Sequence, residues 1–224
     1  MVQVTERDLV MVEWLGTVRL AEVDAIRWAL GAMSGSADPI STRKAQHWIM
    51  RMVDAGLVDR ARPTFQGASI VWATRDAIGR QPPNLFRQTT RHEVAVATVS
   101  ARYLALGYTW QRDRRPVGLL DHQADGVATR DGQAELVEVE LTAKSSPRYK
   151  HIYENHSRRL TQEGISKVFY FCTVDADRIV TREADRLIFR TERPRLVSTI
   201  AFDRRGHWLG SALDPRATIG PSGA

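Results

Sequence analysis

Residues 41–56 read STRKAQHWIMRMVDAG, and the fold of the first part of the chain turns on how this stretch is read. Ser41 is a good N-cap, and Ala45, Trp48, Ile49, Met52 and Val53 fall at i, i+3, i+4, i+7 and i+8, one apolar stripe on a helix. The opposite face carries Thr42, Arg43, Gln46, His47 and Arg51, and Gly56 supplies a stop. Upstream, Thr5 and Asp8 form a variant of the capping box before Leu9, Val12 and Leu15. A second short helix is expected over about 19–30, with Leu20, Val23, Ile26 and Leu30 inward, followed by a Gly- and Ser-rich loop over 31–39. Downstream, Leu57-Val58 and the stretch to Trp72-Ala73-Thr74 read as two strands around a turn at 63–67. The order helix, helix, basic helix, hairpin is that of a winged helix-turn-helix, with Trp14, Trp28, Trp48 and Trp72 expected to fill its small core.

Charge sorts along the same segment. The chain carries a formal net charge of +6, with pI near 9.9, which favours a polyanionic partner. Residues 1–39 hold Arg7, Arg19 and Arg27 against six carboxylates, whereas residues 40–62 hold Arg43, Lys44, Arg51, Arg60 and Arg62 against Asp54 and Asp59. Groove insertion with phosphate clamping requires that concentration. Thr42, Arg43, Gln46 and His47 are then candidates for base edges, and Lys44, Arg51, Arg60 and Arg62 for phosphates. The plainer alternative is a solvated helix face in a winged helix used for protein contacts. The single cysteine, Cys172, lies in the apolar run 168–172 and reads as a buried inert thiol in a reducing compartment. With no apolar stretch near 18 residues and no signal-peptide pattern at the start, a cytoplasmic protein away from membranes is expected.

Gln81-Pro82-Pro83-Asn84 interrupts regular structure, so the domains are expected at 1–80 and 91–213, with a linker over 81–90 and a disordered tail over 214–224. The second domain should open with a helix near Thr90. Strand-like runs follow at 108–112, 123–129 and 135–142, the last two joined by Asp131-Gly132, the strongest hairpin signal in the chain. A helix over about 148–163 places Tyr149, Ile152, Tyr153, His156 and Leu160 on one stripe, and the apolar strand 167–174 should be central in its sheet. A further helix and strand complete an α/β (α+β) layer domain with a mixed sheet. On the alternating run 135–142, Glu138 and Glu140 share one face. Two readings stand: an exposed strand face with scattered salt bridges, or a divalent-metal site that Asp125 on the preceding strand could join. His151 and His156 are five apart, off the usual ligand spacing on one helix, and there is no cysteine pair for zinc.

Four sets of residues in the second part, His92-Glu93, Ala124-Asp125-Gly126, Val137-Glu138-Val139-Glu140 and Lys150-His151-Ile152-Tyr153, together with 41–46 and 53–58, carry a resemblance. The chain resembles the replication-relaxation family of plasmid and mobile-element proteins, in which a winged helix precedes a domain similar to the PD-(D/E)xK nucleases. The resemblance implies a protein of double-stranded DNA, acting in replication, transfer or regulation, whose second domain is a scaffold or homodimerisation module. Its alternative is a Mg²⁺-dependent endonuclease targeted by the winged helix. In that case Asp125 and Glu138 would be the metal carboxylates, Glu93 an additional carboxylate, and Glu140 the residue at the usual lysine position. Lys144 or Lys150 would supply the lysine from elsewhere.

Overall fold

The computed structural model describes residues 2–63, 67–118 and 121–210. The chain divides into two compact units, Met1–Gly107 and Tyr108–Ala224.

In the first unit, α1 (Glu6–Val18) starts at the capping box of Thr5 and Asp8 that the sequence announces. A two-residue strand, β1 (Ala21–Glu22), precedes α2 (Val23–Ala32), and α3 spans Thr42–Asp54 behind its Ser41 cap. Gly56, at φ +71°, ends α3, letting Leu57 N donate back to Met52 O at 3.0 Å. β2 (Val58–Ala61) and β3 (Ile70–Ala73) pair antiparallel, and β1 adds to the other edge of β3, giving the order β1-β3-β2. Residues 64–66 of the expected turn lie outside the described residues, as does the expected tail over 214–224. All four tryptophans assigned to this core are buried, beside Met11, Leu15, Ile26, Leu30, Ile49 and Met52. A short helix, α4 (Arg75–Ile78), follows β3.

The next helix, α5 (Thr90–Ala105), belongs to this unit and not, as the proline break suggested, to the second. Its residues from Val94 to Tyr103 are all buried, and a helix that is apolar and small all round must be enclosed. Its polar groups find partners in the first helices: Trp14 Nε1 donates to Ser100 Oγ at 3.0 Å, and buried Arg102 pairs with Asp24 at 3.0 Å. The segment 81–90 is therefore a connection inside the unit, and the boundary falls at Gly107.

The second unit is a five-stranded mixed sheet in the order β4-β5-β6-β7-β8, from β4 (Thr109–Gln111), β5 (Gly126–Arg130), β6 (Gln133–Glu140), β7 (Ile165–Thr173) and β8 (Leu196–Phe202). The first three are antiparallel neighbours; β6, β7 and β8 run parallel. The β5–β6 hairpin turns at Asp131 (φ +51°) and Gly132 (φ +74°), the two positive φ values that a twist-matched two-residue turn demands. Each parallel step needs a crossover, supplied by α6 (Ser146–Gln162) and α7 (Val174–Leu187). Both helices pack on one sheet face, where Leu136, Val168, Tyr170 and Cys172 meet Tyr149, Ile152, Tyr153 and Val180. Glu138 and Glu140 stand two and four residues after Leu136 and so face that same helix layer, paired in register with Tyr170 and Cys172. They are not on an exposed strand face: both are buried, at 4% and 5% exposure.

Candidate functional site

Two places in the molecule carry the residues singled out from the sequence. The first is α3. Its apolar stripe is buried apart from the half-buried Val53, and Thr42, Arg43, Lys44, Gln46 and His47 are all exposed on the opposite side. No acidic residue sits in the first turn of the helix, so nothing there opposes an approaching anion. Arg60 on β2 and Arg62 just after it are exposed as well, with Arg62 donating to Gly67 O at 3.0 Å. An open cleft of about 700 Å³ runs beside the start of α3, lined by Arg7, Arg43, Lys44, His47 and Arg51 among others. Arg51 is differently employed from its neighbours. Its guanidinium donates to Asp8 Oδ1 at 2.6 Å and to Gln3 O at 2.6 Å, fastening α3 to α1. Trp48 Nε1 donates to the same carboxylate oxygen at 2.8 Å, and Thr5 N and Oγ1 donate to the other at 2.8 and 2.7 Å. Burial alone would raise the Asp8 carboxyl, but Arg51, Thr5 and Trp48 together hold it at about 2.

The second place is the carboxyl-terminal half of β6. Glu138 Oε1 meets His122 Nε2 at 2.7 Å and His156 Nε2 at 3.3 Å, and the latter nitrogen lies 3.0 Å from Tyr170 Oη. His156 reaches the carboxylate because it occupies the inward stripe of α6 with Tyr149, Ile152, Tyr153 and Leu160. His122 comes from the long connection between β4 and β5, which α6 fastens upstream of it. Arg159 grips Asp113 with two hydrogen bonds of 2.5 and 2.9 Å, and Asp113 in turn accepts from Ala124 N at 2.8 Å. Asp121 accepts from Asn155 Nδ2 at 2.8 Å and from Arg158 at 3.0 Å. Burial would raise the Glu138 carboxyl, yet His122 and then His156 hold it well below the usual range. Burial works against charge on His122 too, and the adjacent Glu138 outweighs it, so that imidazole titrates above its ordinary value. His156, fully enclosed, is pushed down by burial, and its Nδ1 has no protein partner.

Glu140 is ion-paired with Lys144, and burial lifts its carboxyl despite that lysine. Asp125 Oδ2 accepts from Val139 N at 2.8 Å, which ties the start of β5 to β6. Asp125, Glu138, Glu140 and Lys144 thus occupy one end of the sheet. Glu93 and Lys150 do other things. Glu93, on α5 in the first unit, pairs with Arg19 at 2.9 Å, and Lys150 is an exposed side chain at 4.0 Å from Glu154.

Mg²⁺ fits this arrangement poorly. Among the described residues, the His, Cys, Asp and Glu donors that gather in a group of three within 4.8 Å are those of His122, Glu138 and His156. Two imidazoles and one carboxylate suit a transition ion of intermediate softness, whereas Mg²⁺ calls for an octahedron of oxygens. Neither histidine was singled out from the sequence as a ligand. His156 carried a signal, a titratable residue inside an apolar stripe; His122, in a connection without periodicity, carried none.

Among the described residues no helix is long and apolar enough to cross a membrane. No family model matches the chain, and no curated protein does either.

Proposed function

We propose that this chain binds double-stranded DNA through α3 and the β2–β3 hairpin, as a winged helix-turn-helix, in the replication, transfer or regulation of a plasmid or mobile element. The observation that carries the reading is the exposed face Thr42, Arg43, Lys44, Gln46 and His47, opposite the buried Ala45, Trp48, Ile49 and Met52, with Arg60 and Arg62 exposed on and just after β2. Thr42, Arg43, Gln46 and His47 are assigned to base edges; Lys44, Arg60 and Arg62 to phosphates. Arg51 stabilises the seat of the helix on α1 and reaches a phosphate only at the cost of its bond to Asp8. The assignment to mobile elements rests on the resemblance to the replication-relaxation family.

The second unit, whose sheet and helix order suits a PD-(D/E)xK-like layer domain, serves as a scaffold or homodimerisation module. Its acidic groups are already engaged: Glu138 by two imidazoles and Glu140 by Lys144. One observation favours the alternative of an endonuclease, namely that Lys144 reaches Glu140 and so supplies the lysine missing from the strand. The donor set, which does not suit Mg²⁺, weighs against it. Two assays test the proposal. Mobility shift of a mixed-sequence duplex by the full chain should be lost on Arg43→Ala. Supercoiled DNA incubated with the protein and Mg²⁺ should stay intact, and metal-dependent cutting abolished by Asp125→Ala would replace the scaffold with a nuclease.

A further inference from the structure

Three side chains from three different elements converge inside the second unit: His122 from the β4–β5 connection, Glu138 from β6 and His156 from α6. We infer that His122 Nε2, Glu138 Oε1 and His156 Nε2 form a binding site for one divalent transition ion of intermediate softness, with Zn²⁺ as the expected occupant.

The geometry carries the assignment. Both imidazoles direct Nε2 at the same carboxylate oxygen, and their rings stand nearly perpendicular, at 70° with centroids 5.6 Å apart, so the nitrogens converge instead of stacking. Tetrahedral Zn²⁺ with ligand bonds near 2.0–2.1 Å separates its donors by roughly 3.3 Å. The Glu138–His156 pair already stands at 3.3 Å, and the Glu138–His122 pair, at 2.7 Å, needs only a small outward swing of His122. That swing is available, because the His122 side chain is 17% exposed while the other two are enclosed, and the same opening gives an ion its entry. The anchors Asp113–Arg159 and Asp121–Asn155 hold the connection ahead of His122, and Asp113 also accepts from Ala124 N just beyond it, which together set its approach. Two nitrogens and one carboxylate oxygen select Zn²⁺ or Fe²⁺ over Mg²⁺ and Ca²⁺. An ion here would pin an irregular connection to β6 and α6, so binding should appear as stability of the unit. The inference is independent of the DNA-binding reading.

The test uses the full chain, freed of metal with a chelator and titrated with ZnCl₂ in the presence of excess MgCl₂. One Zn²⁺ per chain is expected by equilibrium dialysis with elemental analysis. His122→Ala should weaken binding at least tenfold, and His207→Ala, at an exposed histidine of the last turn, should leave it unchanged. Since a variant could fail for reasons of folding, a second readout uses the wild type alone. In ¹⁵N-labelled protein, Zn²⁺ should shift the ring Nε2 resonances of two histidines and Mg²⁺ none. Absence of stoichiometric Zn²⁺ binding, binding indifferent to His122→Ala, or unshifted ring nitrogens would each overturn the site and leave a buried hydrogen-bonded trio.

Discussion

Asp8 shows how a single carboxylate can fix the presentation of a helix. It accepts hydrogen bonds from Thr5, Trp48 and Arg51, and so joins the start of α1 to the middle of α3. Its carboxyl titrates at about 2 in the folded protein against 3.8 for the free group, so its contribution is complete above 3.8 and is lost as pH falls toward 2. Urea unfolding of wild type and Asp8→Asn from neutral to low pH checks this: the stability gap between them should be widest at neutral pH and close in acid. Lys144 makes a second case. Removing it strands Glu140, 5% exposed, as an uncompensated buried charge, so Lys144→Ala should cost about 3 kcal/mol and Glu140→Gln in the same chain should recover most of it. A double-mutant cycle by denaturant unfolding measures the coupling. Cys172, enclosed and with its thiol pushed well up by burial, should resist alkylation in the native protein and react once it is unfolded. At this scale the sequence was a partial guide. That Glu138 and Glu140 share a face followed from the period of two; that the face is covered did not, because burial of a strand depends on helices that cross over it later in the chain. The histidines around Glu138 were missed for a related reason. A search for ligands four apart on one helix does not find a pair that comes from a connection and a helix to one strand carboxylate.

Among the elements, those with a full period or a cap were legible. α3 was readable from its stripe and from Ser41, whose Oγ accepts from Lys44 N at 3.3 Å. Ser41→Ala should therefore cost about 1 kcal/mol in thermal or urea unfolding while leaving the exposed face of the helix intact. The β5–β6 hairpin was readable from Asp131-Gly132, and β7 from its apolar run. β1 and α4 were not, since two residues and one turn are too short to show a period, and each exists only because β3 offers an edge or an exit. α5 was found as a helix and assigned to the wrong unit. Its burial on every side was written in the run from Val94 to Tyr103, but a proline pair carries more weight in a linear reading than packing partners 78 and 86 residues upstream.

At the scale of the whole molecule, the chain divides into two units after Gly107, which has a consequence for truncation. A fragment covering residues 1–107 retains the Trp14–Ser100 and Asp24–Arg102 pairs and should unfold cooperatively. A fragment ending at residue 80 lacks α5 and should not, which far-ultraviolet circular dichroism on heating would register. The net charge of +6 gives the whole chain a general attraction to polyanions, so binding to DNA by itself does not locate the interface. The salt dependence of affinity for a mixed-sequence duplex, measured by fluorescence anisotropy for wild type, Arg43→Ala/Lys44→Ala and Lys150→Ala, does locate it. Wild type should lose affinity steeply with salt. The α3 double variant should bind at least tenfold more weakly at low salt, with a slope shallower by about one to two, and Lys150→Ala should match wild type. Equal affinity and slope for all three proteins, or no binding by wild type at low salt, would contradict DNA recognition by α3.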